Sequence, residues 1–218
     1  MNREIYTTLR DRIIHLEYDP GTILKEQALG DEFGVSRTPL RTVLFRLEWE
    51  HLIKILPRTG ILIMELELST ITHVFQARLE LEAVIGTMAA QRLTREETEA
   101  FLELEPGCTA LRLVRDPKAL AAIDMANKAI FHRAAGNPFL TEMSERLYTL
   151  TFRLWYFNML KMDRDAWQRE VEAVREDLVI LGELIQAGRP EQVGQARKDQ
   201  LVKHLNRIRS SFLGLSGI

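Results

Sequence analysis

The sequence predicts a mainly α-helical protein, with a winged helix-turn-helix at its N-terminal end followed by an all-α antiparallel helical bundle. Two observations indicate this fold class. Residues 25–66 contain two short helical segments joined by a glycine turn and followed by a β-hairpin pattern. After residue 66 the apolar residues recur at helical spacing, and no segment alternates as a strand does.

The helix-turn-helix is predicted over residues 25–47. Its first helix has Ala28 and Leu29 inside and ends at Gly34, which can adopt the left-handed conformation that stops a helix. Ser36 is a typical N-cap for the second helix. That helix turns apolar residues inward: Leu40, Val43, Leu44 and Leu47. It turns polar residues outward: Arg37, Thr38, Arg41 and Arg46.

A wing is predicted directly after this motif. Residues 52–56 alternate as a strand, residues 57–60 have the composition of a turn, and residues 61–64 form the returning strand. Arg58 and Thr59 lie at the tip of the hairpin. A short helix with arginines and free amides at its N-terminal end is suited to the major groove of DNA, and a hairpin tip can reach the backbone or the minor groove.

Three segments resemble the DNA-binding domain of the GntR family of bacterial transcription regulators: residues 18–21 (YDPG), 33–41 (FGVSRTPLR) and 46–52 (RLEWEHL). The resemblance covers roughly residues 5–65 and implies DNA contacts from the second helix and the wing. The implied residues are Arg37, Thr38, Arg41, Arg46, Arg58, Thr59 and Gly60. His51 stands where the family usually has a glycine, so backbone strain is expected there.

Composition limits the alternatives. The chain has 218 residues, 46% of them hydrophobic, which suffices for one large or two small domains. No apolar run approaches the length that spans a bilayer, and no signal-peptide pattern is visible. The single cysteine, Cys108, excludes an intrachain disulfide and fits a reducing cytoplasm. Because the net charge is −2, the positive charge that contacts DNA must be local.

Residues 65–70 are predicted to link two domains, which should span residues 1–66 and 68–218. The second domain is expected to contain these helices: residues 71–92, a helix opened by Thr94, residues 117–135, residues 139–161, a helix capped by Asp165 that ends at Gly188, and residues 190–212. A break is expected at residues 106–107, which would place Cys108 in a loop.

Three polar residues of the second domain fall on faces that should be buried: His132, Asp177 and His204. A carboxylate on an apolar face is costly unless it is paired or binds a cation. Two histidines and one carboxylate from three helices can bind a divalent metal such as zinc, nickel or manganese, with positions open for water or a ligand. The same three residues suggest an alternative function, a metal-dependent enzyme domain fused to a DNA-binding domain.

The second domain resembles the FCD effector domain, which accompanies one (FadR-like) GntR subfamily. The matching motifs are residues 131–132 (FH), 136–140 (GNPFL) and 204–205 (HL). The resemblance implies a metal site, in which His132 and His204 match family ligands. The family's aspartate ligand four residues before His132 is Lys128 here, and Asp177 stands where a further histidine is expected.

These substitutions leave two outcomes open. In one, His132, Asp177 and His204 bind the metal, and a water or an effector carboxylate completes the site. In the other, Lys128 is itself the cation and pairs with Asp177, so that no metal binds. A protonated lysine at contact distance from a dication is unfavourable, which makes the two outcomes exclusive unless Lys128 is neutral.

Arg78 is the first candidate for an effector contact. It lies on an apolar face, matches an arginine in the first helix of the family's effector domain, and can hold a carboxylate bidentately. The alternative is an ion pair with Glu80 or Glu82. Further candidates follow from the long aromatic helix and the position of the metal motif: Lys128, Arg153, Tyr156 and Asn158.

Sequence and resemblance together predict a cytoplasmic, ligand-responsive transcription regulator that is not an enzyme. It would bind double-stranded operator DNA of palindromic sequence as a homodimer. Its effector would be a small organic acid, and repression relieved by the ligand is the commoner mode of the family.

Overall fold

The computed structural model describes residues 2–66 and 68–212, without the side chains of residues 68–70 and 211–212. The chain divides into two compact units. The first comprises Met1–Thr72 together with Thr149–Tyr156, and the second comprises His73–Tyr148 together with Phe157–Ile218. One long helix therefore contributes residues to both units.

Residues 2–66 form the predicted winged helix-turn-helix. Its helices are α1 (Asn2–Ile14), α2 (Glu26–Phe33) and α3 (Arg37–Trp49), and its strands are β1 (Ile23–Leu24), β2 (Ile53–Leu56) and β3 (Gly60–Ile63). The three strands form an antiparallel sheet in the order β1-β3-β2. The residues that the sequence turned inward from α3 are all buried: Leu40, Val43, Leu44 and Leu47.

The turn between α2 and α3 has the predicted glycine chemistry. Gly34 has a φ of 63°, and its N–H donates to the carbonyl oxygen of Asp31 at 3.3 Å. Ser36 occupies the N-cap position of α3 with extended backbone, but its hydroxyl makes no capping hydrogen bond. The N-terminal amides of α3 are thus left without a capping side chain from Ser36.

The wing is the predicted hairpin with one strand added. Ile53 pairs with Ile63, and Leu56 pairs with Gly60. Strand β1, which the sequence did not reveal because two residues are too few to show a pattern, pairs with β3 on its other side. A Cβ atom on Gly60 would lie 2.4 Å from the carbonyl oxygen of Leu24, so the close passage of β1 requires a glycine at this position.

The expected strain at His51 is present. His51 has a φ of 59°, a left-handed backbone conformation that non-glycine residues rarely adopt. This residue follows α3 directly, and its N–H donates to the carbonyl oxygen of Glu48 at 2.9 Å. The helix therefore ends where the family usually has a glycine, although a histidine stands here.

The rest of the chain is helical, as predicted. The helices are α4 (Leu68–Ala90), α5 (Arg95–Leu102), α6 (Leu104–Leu111), α7 (Pro117–Ala135), α8 (Pro138–Lys161), α9 (Arg164–Gln186) and α10 (Pro190–Phe212). Thr94 forms a capping box with Glu97 at the start of α5. In the part of the chain that the structure describes, no helix is long and apolar enough to cross a membrane.

Two predicted boundaries are wrong. Pro106 and Gly107 do not interrupt the chain, because they lie inside α6, where a proline in the first turn lacks only an amide that has no partner within the helix. Cys108 is consequently buried in this helix and not in a loop. The N-cap of α9 is Asp163, whose carboxylate accepts a first-turn amide at 2.8 Å, and Asp165 lies within that turn.

Helices α4 and α10 approach each other closely at two glycines. A Cβ atom on Gly194 would lie 2.2 Å from Thr87 Oγ1 and 2.6 Å from the carbonyl oxygen of Ala83. A Cβ atom on Gly86 would lie 3.0 Å from Gly194 Cα and 2.7 Å from Arg197 Cδ. The crossing therefore leaves no room for side chains at these two positions, and it brings Arg197 against α4.

We expect Gly194→Ala to destabilise the protein by roughly 1–3 kcal/mol through overpacking, even though alanine favours a helix over glycine by about 1 kcal/mol. Urea unfolding followed by circular dichroism measures the change. Gln195→Ala, at the exposed neighbouring position, is the control and should change stability by less than about 0.5 kcal/mol. An unchanged stability for Gly194→Ala would show that this crossing is not tightly packed.

Candidate functional site

The N-terminal end of α3 carries the polar surface that the sequence predicted. Arg37, Thr38 and Arg41 are exposed there. Arg41 donates from Nε to Glu26 Oε1 at 2.8 Å and from Nη2 to Glu26 Oε2 at 3.3 Å. Because Glu26 belongs to the first turn of α2, this pair joins the two helices of the motif, while the Arg41 side chain stays 57% exposed.

Arg46 is attached to the scaffold at the other end of α3. Its guanidinium carbon lies 3.7 Å from the ring centroid of Tyr6, and its Nε donates to Glu50 Oε1 at 3.2 Å. The Tyr6 hydroxyl donates to the same oxygen at 2.7 Å. Burial and this hydrogen bond raise the pKa of Tyr6 to about 12. Arg46 thus helps to fix α1 against α3.

The wing presents Arg58 and Thr59 to solvent. Lys25 donates its ammonium to the carbonyl oxygen of Thr59 at 2.9 Å and so adds a basic group beside the wing. The sequence prediction missed this role because it assigned Lys25 to the first helix, which begins one residue later. Gly60 supplies its backbone conformation, with a φ of 144°.

A buried charge cluster lies in the second unit and is centred on Glu82, which is 3% exposed. Lys128 Nζ donates to Glu82 Oε1 at 2.7 Å, and Arg197 Nη2 donates to Glu82 Oε2 at 2.6 Å. Arg78 Nη2 lies 3.5 Å from Glu82 Oε1. Cations from α4, α7 and α10 therefore share one carboxylate, and Arg78 takes the paired arrangement that the sequence had left open.

Ser144 on α8 connects this cluster to His132. Its hydroxyl accepts from Lys128 Nζ at 2.6 Å and donates to Glu82 Oε1 at 2.9 Å. His132 Nε2 lies 3.1 Å from the same hydroxyl, and His132 Nδ1 lies 3.8 Å from Glu145 Oε1. Burial lowers the pKa of His132, which favours the neutral imidazole.

The charges of the cluster shift each other's pKa values. Burial alone would raise the pKa of Glu82, but the Lys128, Arg197 and Arg78 charges hold it well below its usual range. Burial lowers the pKa of Lys128 to about 8, against the opposing influence of Glu82. Glu82 is therefore a firmly ionised carboxylate whose charge keeps a buried lysine protonated near neutral pH.

A second carboxyl group, Asp124, lies beside these residues. It accepts a hydrogen bond from the Tyr148 hydroxyl at 2.6 Å, and burial raises its pKa. The Tyr148 ring faces two of the cations, with Lys128 Nζ at 4.7 Å and the Arg78 guanidinium carbon at 5.3 Å from the ring centroid. Asp124 therefore carries its charge less readily than Glu82 does.

The predicted metal ligands do not form a metal-binding group. Among the residues that the structure describes, no set of three or more His, Cys, Asp or Glu side chains is placed to hold a metal ion. His132 is engaged with Ser144. His204 Nδ1 lies 3.3 Å from Arg207 Nη2 and 3.8 Å from Glu170 Oε1. The residues present therefore do not fit a divalent metal.

The alternative pair between Lys128 and Asp177 is wrong. Lys128 pairs with Glu82, which reaches it from α4. Asp177 lies on α9, where its backbone carbonyl accepts from Gln200 Nε2 at 2.9 Å and burial raises its pKa to about 6. The sequence could not decide between Glu82 and Asp177 because both fall on helices that face the domain interior.

Two further candidates lie on α8. Arg153, 1% exposed, belongs to the first unit, where Nη2 donates to the carbonyl oxygen of Met64 at 2.7 Å and burial lowers its pKa to about 10. Tyr156 belongs to the same unit and stacks on Phe152 at a centroid distance of 5.7 Å. Asn158 is 5% exposed in the second unit, and its Nδ2 has no hydrogen-bond partner among the described residues.

The sequence prediction missed several residues of the cluster as site residues: Glu82, Asp124, Ser144, Tyr148 and Arg197. For Arg197 a signal existed, because it lies between Val193 and Leu201 at helical spacing on an apolar face. For the others, the signal is a contact between helices far apart in the chain, which periodicity does not reveal.

An open groove of about 370 Å³ adjoins His132. It lies at the turn between α7 and α8 and is lined by Asn137, Thr141, Glu142 and Glu145 as well as His132. Because His132 also contacts Ser144, the groove lies one side chain away from the buried cluster.

A DNA-reading helix-turn-helix joined to a helical domain with a buried polar cluster defines a one-component transcription regulator. The sequence matches the family described as bacterial regulatory proteins, gntR family, over residues 1–63, and the FCD domain over residues 73–206. The chain belongs to the GntR family and carries an FCD domain. This membership supports a regulator and does not favour the alternative of an enzyme.

Curated relatives point the same way. The HTH-type transcriptional repressor RspR of Escherichia coli (strain K12) is 30% identical over 120 residues, which are 55% of this chain and 51% of RspR. The chain thus spans about half the length of RspR. The HTH-type transcriptional regulator YieP of the same organism is 29% identical over 190 residues, which are 76% of this chain and 82% of YieP.

Solved structures confirm the fold. E. coli McbR/YncC has a TM-score of 0.83 with 18% identity and covers 97% of this chain and 98% of its own. A GntR transcriptional regulator from Rhodococcus sp. RHA1 has a TM-score of 0.75 with 16% identity and covers 96% of this chain and 97% of its own. At these identities the likeness concerns the fold alone.

We expect His204 to make the protein less stable in acid. Burial and the Arg207 charge lower the pKa of His204 well below its usual range, whereas a histidine in the unfolded chain has a pKa of about 6.5. As the pH falls below about 6.5, the unfolded chain takes up a proton that the folded chain refuses, so the free energy of unfolding decreases. His204→Gln removes this effect.

The measurement is the difference in unfolding free energy between His204→Gln and the wild type, followed from neutral to acid pH. The difference should shift in favour of the variant as the pH falls. The wild-type curve alone is not diagnostic, because Asp177, with its pKa raised to about 6, acts in the opposite direction. A difference that stays constant with pH would contradict a buried neutral imidazole.

Proposed function

We propose that this chain is a cytoplasmic, ligand-responsive transcription regulator that binds a palindromic operator as a homodimer and takes a small organic acid as its effector. Residues 1–66 act as the DNA-binding domain, and residues 68–218 act as the effector and dimerisation domain. The observation that carries the proposal is the exposed arginine-bearing end of α3 beside a β-hairpin wing. Membership of the GntR family supports it.

The proposed contacts from α3 come from Arg37, Thr38 and Arg41. Arginine can form two hydrogen bonds with a guanine edge in the major groove, and the amides at a helix N-terminus bind phosphate. Ser36 leaves those amides without a side-chain cap. Glu26 orients Arg41 in the DNA-free chain, and binding to DNA would exchange that ion pair for a base contact.

The proposed supporting contacts come from the wing and from the far end of α3. Arg58, Thr59 and the Gly60 turn would face the DNA backbone or minor groove, together with Lys25, which is hydrogen-bonded to Thr59. Arg46 would reach a phosphate while it holds α1 against α3 through Tyr6 and Glu50. These contacts position the domain, whereas base contacts from α3 supply sequence preference.

The effector part of the proposal is supported by the buried cations of the FCD domain. Arg78 and Lys128 offer guanidinium and ammonium donors, for which a carboxylate is a suitable partner. Asn158 adds a buried amide donor whose Nδ2 has no partner among the described residues. Arg153 is not included, since it holds the Met64 carbonyl in the first unit. A divalent metal is not included either, since the described residues provide no group of ligands for it.

Acid binding would change the operator affinity, and operator binding would change the acid affinity by the same factor. The relative RspR is named a transcriptional repressor. We propose the same mode here, with repression relieved by the acid.

Operator affinity should depend on Arg41. An operator is first selected from random-sequence duplexes with the full chain, and affinities are then measured by fluorescence anisotropy at several salt concentrations. Arg41→Ala should weaken binding by about 1–3 kcal/mol, the contribution of one bidentate arginine–guanine contact. Arg95→Ala is the matched control, because Arg95 is also an exposed arginine paired with a glutamate, Glu99 on α5.

Normal operator affinity of Arg41→Ala would contradict the placement of α3 in the major groove. The wild-type affinity should fall steeply with salt, because phosphate contacts release counterions. Sedimentation of the complex should give two chains per selected operator. One chain bound at full affinity would contradict the homodimer on a palindromic site.

A further inference from the structure

The buried cluster holds more cations than carboxylates among the residues that the structure describes. Lys128, Arg197 and Arg78 lie within 3.5 Å of Glu82 oxygens. A second carboxyl group, Asp124, is buried beside them with a raised pKa. Even with both carboxyl groups ionised, three positive charges face two negative charges. Excess charge in a buried site is costly, and a bound anion compensates it.

Lys128 stands where the resembled effector domain has a metal-binding aspartate, one helical turn before His132. Its ammonium donates to Glu82 at 2.7 Å and to Ser144 at 2.6 Å. The same Ser144 hydroxyl lies 3.1 Å from His132 Nε2, so this imidazole nitrogen is engaged. A dication at this place would meet a positive charge at contact distance, which is unfavourable.

We infer that Lys128 takes the place of the metal ion in this effector domain: the carboxylate of a small hydroxy acid binds directly to the Lys128 ammonium and the Arg197 guanidinium, without a divalent metal. This inference rests on the proposed function, which makes a small acid the effector. Arg197 is suited to the role, since it is 9% exposed and its Nε has no hydrogen-bond partner within the described part of the chain.

Glu82 is the resident carboxylate of these cations. It uses one oxygen for Lys128 and the other for Arg197, so an incoming acid competes with it. Removing the Glu82 charge should therefore tighten acid binding, whereas removing the Lys128 charge should weaken it. A purely structural ion pair predicts no such opposite signs, because either substitution would only disturb the packing.

The groove beside His132 determines the rest of the acid. Thr141, Glu142 and Glu145 line it. Carboxylates repel a second acidic group and accept hydrogen bonds, so the bound acid should carry its carboxylate inward and hydroxyl donors outward. Glycerate has this arrangement, and propionate is a matched three-carbon acid without hydroxyl groups.

Isothermal titration calorimetry on the full chain tests the inference. Glycerate and propionate are titrated at matched ionic strength, once in chelator and once in chelator-free buffer with Zn²⁺, Ni²⁺ or Mn²⁺. Glycerate should bind more tightly than propionate, with equal affinity in both buffers. Lys128→Met and Arg197→Met should each weaken glycerate binding by about tenfold or more, because a charge-assisted hydrogen bond is lost.

Glu82→Gln should bind glycerate more tightly than the wild type does. Because this variant loses the counter-charge of buried cations, its thermal unfolding with and without glycerate is the second readout, and glycerate should raise its midpoint more than that of the wild type. Lys198→Met is the matched control. Lys198 follows Arg197 on α10 and pairs with Glu80 at the surface, so glycerate binding should stay at the wild-type level.

Three results would overturn the inference: glycerate binding that is lost in chelator and restored by metal, glycerate binding that survives Lys128→Met, or no glycerate binding by the wild type. Operator binding measured on the same protein separates these results from the proposed function. Intact operator binding without glycerate binding defeats this inference alone. Glycerate binding that leaves the operator affinity unchanged keeps the acid site and contradicts its role as the effector site.

Discussion

The second unit depends on one buried carboxylate. Glu82 is 3% exposed, and a carboxylate in that position persists only with cations and donors around it. Its partners come from different helices: Lys128 from α7, Arg197 from α10 and Ser144 from α8. The glycine crossing of α4 and α10 lets Arg197 reach across. Packing and charge are therefore one arrangement, and a change in the helix crossing would also change the cluster.

Local chemistry was predictable from the sequence, and long-range pairing was not. The Gly34 turn, the wing hairpin and the helix ends at Gly136 and Gly188 are set by residues next to each other in the chain. Strand β1 exists only because β3 lies beside it, so its two residues carry no signal of their own. Pro106 looked like a break, because sequence alone does not tell a proline in a first turn from one in a loop.

The candidate sites divide in the same way. The α3 surface was predictable because helical periodicity sorts Arg37 and Arg41 from the buried leucines of the same helix. The buried cluster was predicted only in part, through Arg78, Lys128 and His132. Its central bond joins residues 115 positions apart, Arg197 and Glu82, and no periodic pattern encodes such a distance. A buried charge marks a helix face as functional, but its partner comes only from the fold.

The acidic partners of the DNA-binding surface explain how a chain of net charge −2 can still read DNA. Arg41 pairs with Glu26, and Arg46 pairs with Glu50. These pairs lower the positive potential that would attract nucleic acid without regard to sequence. A contact with DNA must replace them, so affinity depends on what the arginines gain from a particular base. The paired surface thus favours selectivity over broad attraction.

The exchange of a metal for a lysine alters how an effector site can select its ligand. A hydroxy acid can chelate a metal through its carboxylate and a neighbouring hydroxyl, so coordination geometry itself can discriminate between acids. An ammonium and a guanidinium recognise mainly the carboxylate, which all organic acids share. Selectivity must then come from the walls that meet the rest of the molecule, and here those walls hold Thr141, Glu142 and Glu145. The cation cluster therefore accounts for the attraction of an acid, and the groove beside His132 accounts for the choice among acids.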